Sequence, residues 1–453
     1  MARPEPLTVD LLRQEIAEGK IDTVAVGITD MQGRLQGKRI DADYFLEEVL
    51  DAHTEGCNYL MAVDIEMNTV PGYAMSSWDS GYADMVMKPD VSTLHRIPWQ
   101  PGTVGILCDL ETTEHQPVAP SPRQILKKQL DRLHDMGMGA FVGTELEFIV
   151  FNDTYEEAWL AGYRDLTPAN LYNIDYSMLG TARIEPLLRR IRRDMAGAGM
   201  IVESAKGECN LGQHEIAFKY LDALRTCDNH SVYKNGAKEI AAQEGMALTF
   251  MAKFNEREGN SCHIHLSFRG TDGSMVMAGD SPDGMSDLGR AFIAGQLAHA
   301  RELTLMYAPQ INSYKRYARG SFAPTAIRWG RDNRTCAFRL VGHGQSLRLE
   351  NRLPGGDANP YLAVAAMIAA GIDGIERQLS LEDAVVGNAY ELESDQVATS
   401  MPEALADWSG SAWVRDVFGA EVQEHYANMA RVEIEDFGRS VTDWERFRSF
   451  ERI

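Results

Sequence analysis

A chain of 453 residues, 44% apolar and 24% charged, has the make-up of an ordinary soluble protein with room for two or more domains, and not that of a disordered one. Its formal net charge of −22 argues against a nucleic-acid partner, and neither the opening MARPEPLTVDLLRQ nor the apolar YLAVAAMIAAGI has the length and character of an export signal or a membrane span. Six cysteines, Cys57, Cys108, Cys209, Cys227, Cys262 and Cys336, lack CxxC spacing, so free thiols in a cytoplasmic protein are expected.

In chain order, LTVDLLRQEIAEG has helical periodicity and IDTVAVGITDMQGRLQGKRI reads as a hairpin turning at Asp30 to Gly33. A helix near ADYFLEEVLDA and strands near NYLMAVDI and TVGILCDL complete a small α+β unit. The prolines of EHQPVAPSPRQIL set a boundary near residue 114, dividing the chain into 1–113 and 114–453. Ser121 and Pro122 suit the N-cap and first turn of a helix through RQILKKQLDRLHDMG, and GTELEFIVF is the strand that follows. From about Glu382 onward the sequence reads as helices and loops.

The chemistry lies between. In GTELEFIVF, Glu145 and Glu147 share one face of a strand while Thr144, Leu146 and Phe148 take the other. Two like charges this close raise each other's pKa unless a cation lies between them. The same grammar recurs in SCHIHLSF, with His263 and His265 on one face, and in SLRLENRL, with Arg348, Glu350 and Arg352. ESAKGECNLGQHEIAFKY adds Glu203, Glu208 and Glu215 around a bend. Each pattern alone is more often a solvated strand face or a salt-bridge ladder, but their joint occurrence in one domain favours a sheet lining a cavity for charged ligands. Carboxylates with one or two imidazoles suit Mg²⁺ or Mn²⁺ better than zinc, and flanking arginines suit phosphate or carboxylate groups.

The order of GTELEF, GECNLGQHE, HIHLS, NSYKR, NRTCAFR and RLENRLPGGDANPYL resembles the glutamine synthetase family, type I branch, over nearly the whole chain. The resemblance implies an α+β fold: a small N-terminal β-grasp domain, then a large catalytic domain on a curved antiparallel sheet flanked by helices. It implies a dodecamer of two hexameric rings and an ATP-dependent carbon–nitrogen ligase that makes γ-glutamyl phosphate from glutamate, using two or three Mg²⁺ or Mn²⁺ ions. On that alignment Glu147, Glu208 and Glu215 hold one metal, and Glu145, His263 and Glu350 a second. Glu147 and His263 also border the glutamate, whose α-carboxylate falls to Arg316 with Gly259 nearby. Arg334, Arg339 and Arg352 grip the transferring phosphoryl group, and Glu203, Tyr220, His265, Ser267 and Arg348 contact ATP.

Departures from the family pattern concern the amine. Phe254, Glu258 and Ser261 interrupt the segment before His263, and Gln345 replaces a lysine near ATP. The flap that ordinarily carries a proton-accepting glutamate reads GSFAPTA here, with Phe322 in its place and no acid between Lys315 and Arg331. The stretch VPGYAMSSW, expected to reach a neighbour's site, is likewise free of acid. Phe322, Ala323, Tyr73, Ala74, Met75 and Ser76 would then form an apolar pocket for a monoamine with an uncharged tail, because burying an unpaired charge is unfavourable. A short amine such as ethanolamine is the first expectation and a polyamine the second. A true glutamine synthetase and a catalytically silent assembly subunit are the remaining alternatives, and Tyr390 is expected to be an ordinary loop tyrosine.

Overall fold

The hairpin expected at Asp30 to Gly33 forms between Thr23–Thr29 (β1) and Leu35–Asp41 (β2) in the computed structural model, which describes residues 6–318 and 320–453. Gly33 takes φ +80°, where a side chain would be strained, and its N–H donates to the Asp30 carbonyl at 3.0 Å. Thr54–Cys57 (β3), Asp84–Pro89 (β4), His95–Arg96 (β5) and Thr103–Glu111 (β6) complete a sheet ordered β2-β1-β6-β4-β3, with β5 also on β6. The pair β1–β6 is parallel. NYLMAVDI is not a strand: Asn58–Met61 is a 3₁₀ turn. Its Met61, Ala62 and Val63 are buried in succession, and an apolar run of this length fits a turn pressed on the core as well as a strand.

The helix after Ser121 spans Pro122–Asp135, although the Ser121 side chain makes no capping bond, and it feeds the 14-residue strand Met138–Phe151 (β7). β7 is the spine of the second sheet. The others are Val202–Gly207 (β8), Gln213–Phe218 (β9), Leu221–Asp222 (β10), Ala247–Thr249 (β11), Cys262–Gly270 (β12), Trp329–Arg331 (β13), Phe338–Val341 (β14) and Arg348–Asn351 (β15). Their order is β13-β14-β15-β12-β7-β9-β8, with β10 and β11 also on β7, and all pairs are antiparallel except β13–β14. The α+β class holds. The apolar run YLAVAAMIAAGI lies in the helix Pro360–Glu376, buried on all sides because the helices Pro122–Asp135 and Asp287–His299 pack against it. A Cβ on Gly374 would come within 2.1 Å of the Ala291 carbonyl oxygen, so only glycine permits this approach. Among the described residues no helix is long and apolar enough to cross a membrane.

Arg123 ties the two sheets together. Only 3% of its side chain is exposed, and its guanidinium reaches Asp90 after β4 (2.7 Å), Asp109 on β6 (2.5 Å) and Asp228 on the helix Ala223–Gln243 (3.0 Å). The Tyr361 hydroxyl also donates to Asp228 at 2.7 Å. Removing the cation leaves several carboxylates facing one another in a dry site. Arg123→Met is therefore expected to lower unfolding free energy by about 3–5 kcal/mol in denaturant titrations. A loss below about 1 kcal/mol would show that these acids do not depend on it.

Candidate functional site

Strand register sorts the charged residues of the second sheet into rows. Glu147 on β7 lies opposite Glu215 on β9, and Glu215 lies opposite Lys206 on β8. Glu145 lies opposite His263 on β12. Glu350 on β15 lies opposite His265 on one side and Arg339 on the other. Leu146 and Phe148 point into the core, so alternation along β7 forces both glutamates onto the cavity face. The bend between β8 and β9 then brings Glu208 to the pair: oxygens of Glu147, Glu208 and Glu215 all lie within 4.8 Å of one another. Ligand atoms of Glu145, His265 and Glu350 form a second such group. His263 Nδ1 lies 3.4 Å from Glu145 and 3.6 Å from Glu350, so the trio expected from sequence is assembled and His265, expected at ATP, adjoins it.

The two groups differ electrically. Burial would raise the Glu145 carboxyl, but hydrogen bonds from His263 and His265 outweigh it and hold it far below the usual range. Burial also opposes ionisation of Glu350, yet His263 and Arg352 bring it down to about 2. Glu350 is fixed by Arg339 Nη1 at 2.8 Å and by Arg352. Burial and the Glu208 charge push Glu147 up, and burial with Glu145, Glu147 and Glu208 pushes Glu215 up. Glu145 and Glu350 have cationic partners of their own; Glu147, Glu208 and Glu215 are short of positive charge.

Two cavities meet on this face. Glu203, Tyr220, His265, Ser267, Arg348 and Gln345 line one of about 490 Å³. The carboxylates of both groups, with His263, Gly259, Phe322, Arg334, Arg339 and Arg352, line another of about 460 Å³. Glu145 lines both. Phe322 is 57% exposed at φ +57°, a left-handed conformation that costs about 1 kcal/mol or more for a non-glycine residue. Its carbonyl accepts from Arg352 Nη2 at 3.4 Å, which links the loop to the site.

Three sequence expectations need correction. Arg316 does not face the cavity: it is 2% exposed and donates to the carbonyls of Arg352 (3.0 Å), Leu353 (2.9 Å) and Pro354 (2.9 Å). It braces the backbone that carries Arg352 while the adjoining Gly259 lines the cavity. Tyr73 and Ser76 are buried in their own chain, Tyr73 with its ring 4.6 Å from that of His425 and Ser76 donating to Asn58 at 2.6 Å, so of that stretch Ala74 remains exposed and Met75 half-buried. Finally, the surroundings of Phe322 are not free of acid, because Asp175 and Glu258 line the same cavity from other segments. Tyr390 is less displayed than a loop residue, with its hydroxyl buried.

Sequence reasoning also passed over Lys206, Tyr176 and Gln213. Gln213 Nε2 donates to Glu147 Oε2 (3.1 Å) and to the Gly259 carbonyl (2.9 Å), while the Ser261 N–H holds the same glutamate oxygen at 2.7 Å. The signal was present, since Gln213 and Lys206 each sit two residues from a candidate ligand and so share its face.

The sequence profile described as glutamine synthetase, catalytic domain, matches residues 119–449. The γ-glutamylethanolamide synthetase of Streptomyces coelicolor (strain ATCC BAA-471 / A3(2) / M145) is 62% identical over 451 residues, covering 100% of this chain and 97% of that protein. Glutamate–isopropylamine ligase of a Pseudomonas species is 38% identical over 448 residues, 98% of each chain. The solved structure of GmaS without ligand superposes with a TM-score of 0.85 at 28% identity, covering 98% of this chain and 100% of the other. A charged sheet face of this composition, on a chain alike along its whole length, identifies the protein as a member of the glutamine synthetase family.

Proposed function

We propose that this protein joins glutamate to a small primary amine, ethanolamine in the first place, in an ATP-dependent reaction. The γ-carboxylate takes the terminal phosphoryl group of ATP to give γ-glutamyl phosphate and ADP, and the uncharged amine then displaces phosphate to give a γ-glutamylamide. The observation that carries this reading is the meeting of two charged cavities at Glu145, one lined by the residues assigned to ATP and the other by three arginines and Phe322. The relatives named for ethanolamide and isopropylamine products support a monoamine. A polyamine is the second reading, favoured by Asp175 and Glu258 beside Phe322.

Family members use ATP and divalent metal ions. The residues here fit such ions, since Glu147, Glu208 and Glu215 converge without enough positive charge to ionise freely. These three would hold one Mg²⁺ or Mn²⁺, and Glu145, His263 and Glu350 a second, with His265 close to the latter. Bound metal supplies charge that offsets repulsion between phosphates and carboxylates. Arg334, Arg339 and Arg352 add fixed guanidinium donors where negative charge develops during transfer. Glu203, Tyr220, Ser267 and Arg348 orient the nucleotide, and Gln213 with Ser261 hold Glu147 in place. Phe322 leaves its loop without an acid to accept the amine proton, so amine arriving uncharged is favoured. We assign residues 1–113 to an N-terminal unit and 114–453 to the catalytic unit, and we expect a cytoplasmic dodecamer of two hexameric rings. Exposed Trp78 (81%) and Phe447 (83%) are apolar surface that such an assembly would cover.

Purified protein with Mg²⁺ or Mn²⁺, ATP and glutamate is expected to release phosphate faster with ethanolamine than with ammonium or a diamine. Faster release with ammonium would refute the small-amine reading in favour of a true glutamine synthetase. Metal-free protein offers a test independent of turnover. Glu147 and Glu215 have folded-state pKa values raised above 4.5, so the folded protein binds more protons than the unfolded chain and stability falls as pH rises. Buried His230, pushed down to about 3 by desolvation, acts in the opposite direction but only below its ordinary 6.5. The share of Glu147 is lost by about pH 7 and that of Glu215 by about pH 9, so between about pH 7 and 9 Glu215 should lower the melting temperature of chelator-treated protein, against an opposing contribution from buried Lys234 above about 8, and saturating Mn²⁺ should remove most of the drop due to Glu215. Parallel curves with and without metal would contradict the assignment.

A further inference from the structure

Asp175 and Glu258, which line the cavity that also holds Phe322, pose a difficulty for an enzyme that takes amines with uncharged tails. Carboxylates next to an aromatic ring are a ready-made site for an alkylammonium group, because they supply charge and the ring face supplies cation–π attraction. Left as they are, these acids would welcome ammonium or the far end of a diamine. The structure contains a group that answers Asp175.

Lys206 projects from β8 on the cavity face, opposite Glu215 in register. Its ammonium donates to Glu208 Oε1, lies 3.8 Å from Asp175 Oδ1, and stands 4.7 Å from the centre of the Tyr176 ring. Lys206, Asp175, Tyr176 and Glu208 all line the cavity that holds Phe322. The side chain is 24% exposed, so the charge borders the cavity and is not sealed behind it. The arrangement is that of an alkylammonium held by two carboxylates and an aromatic face, supplied by the protein's own chain.

We infer that Lys206 is a tethered cation that sets amine selectivity: it occupies the acidic corner of the cavity formed by Asp175, Glu208 and Tyr176, and so turns away amines that carry a second positive charge. Rejection has two parts. The acids and the ring are already engaged, and a diamine's distal ammonium would meet a like charge a few ångströms away. A hydroxyl or alkyl tail meets neither obstacle. The inference rests on the proposed glutamate–amine ligase activity and narrows its substrate class to monoamines with neutral tails.

The test compares kcat/KM for ethanolamine, 1,3-diaminopropane and ammonium in the wild-type protein, Lys206→Met and Lys206→Arg at fixed ionic strength. Lys206→Met keeps the length and removes the charge, so the diamine-to-ethanolamine ratio should rise by about tenfold or more, with ammonium use rising alongside. Lys206→Arg keeps the charge and should keep the ratio within about twofold of wild type. A ratio unchanged in Lys206→Met overturns the inference, as does an equal rise in Lys206→Arg. Loss of turnover with every amine in Lys206→Met overturns it as well, because Lys206 would then act by supporting Glu208 and not by selecting the amine. Wild-type protein with no amine-dependent phosphate release would overturn the ligase reading and this inference together, whereas an active wild type with insensitive ratios defeats the inference alone.

Discussion

Repulsion among carboxylates on one face of a sheet is the constraint around which this site is built. Antiparallel register leaves no freedom: once Glu145 and Glu147 alternate along β7 with core residues between them, Glu215, His263 and the row through Glu350 are brought to the same face. A β-sheet fixes such groups about 5 Å apart across strands, and the backbone cannot relax them away from each other without breaking the ladder. The remaining freedom is in the counter-charges. Glu145 and Glu350 are given imidazole and guanidinium partners from neighbouring strands, whereas Glu147, Glu208 and Glu215 receive Lys206 and little else. That asymmetry separates a half that is complete in the protein from a half that wants a cation from solution.

Several residues behind the charged groups serve the same constraint. Ser261 and Gln213 donate to one oxygen of Glu147, which points its charge at Glu208 and Glu215 instead of letting it turn away. Arg316 is bound to three successive carbonyls, and those carbonyls belong to the chain that leaves β15 with Arg352. Through Nη1 and Nη2 the buried guanidinium fixes this backbone more firmly than a hydrophobic contact would, because breaking those bonds would leave buried donors unpaired. Arg352 in turn reaches both Glu350 and the Phe322 carbonyl, so the flap backbone and the charged face share one guanidinium.

The sequence displayed the parts of this site that follow strand periodicity. Glu145 with Glu147, His263 with His265, and Arg348 with Glu350 are separated by two residues, and a two-residue period is visible without knowledge of partners. What it concealed depends on distant packing. Arg316 looks like a ligand-binding arginine until the carbonyls of residues 352–354 are seen to take its protons. Tyr73 and Ser76 look available to a neighbour until His425 and Asn58 cover them. NYLMAVDI carries the composition of a strand but lacks a partner strand at that place, so the chain turns. Asp175 was hidden for the same reason: it reaches the cavity that holds Phe322 from a segment 147 residues earlier, whereas Glu258 stands close to His263 in sequence and was visible there.

Phe322 and Lys206 act on the amine from two directions. An aromatic side chain on the flap removes a charge that would hold ammonium, and it offers apolar contact to an alkyl tail. Without Lys206 that loss would be incomplete, since Asp175 restores negative charge to the same cavity. Without Phe322, neutralising the acidic corner would still leave a flap open to small cations. Phe322 stands on a loop and Lys206 on β8 opposite β9, yet both bear on the same property. Selectivity for a neutral tail thus follows from removing one carboxylate and covering others, and neither change disturbs the row of ligands fixed by the sheet.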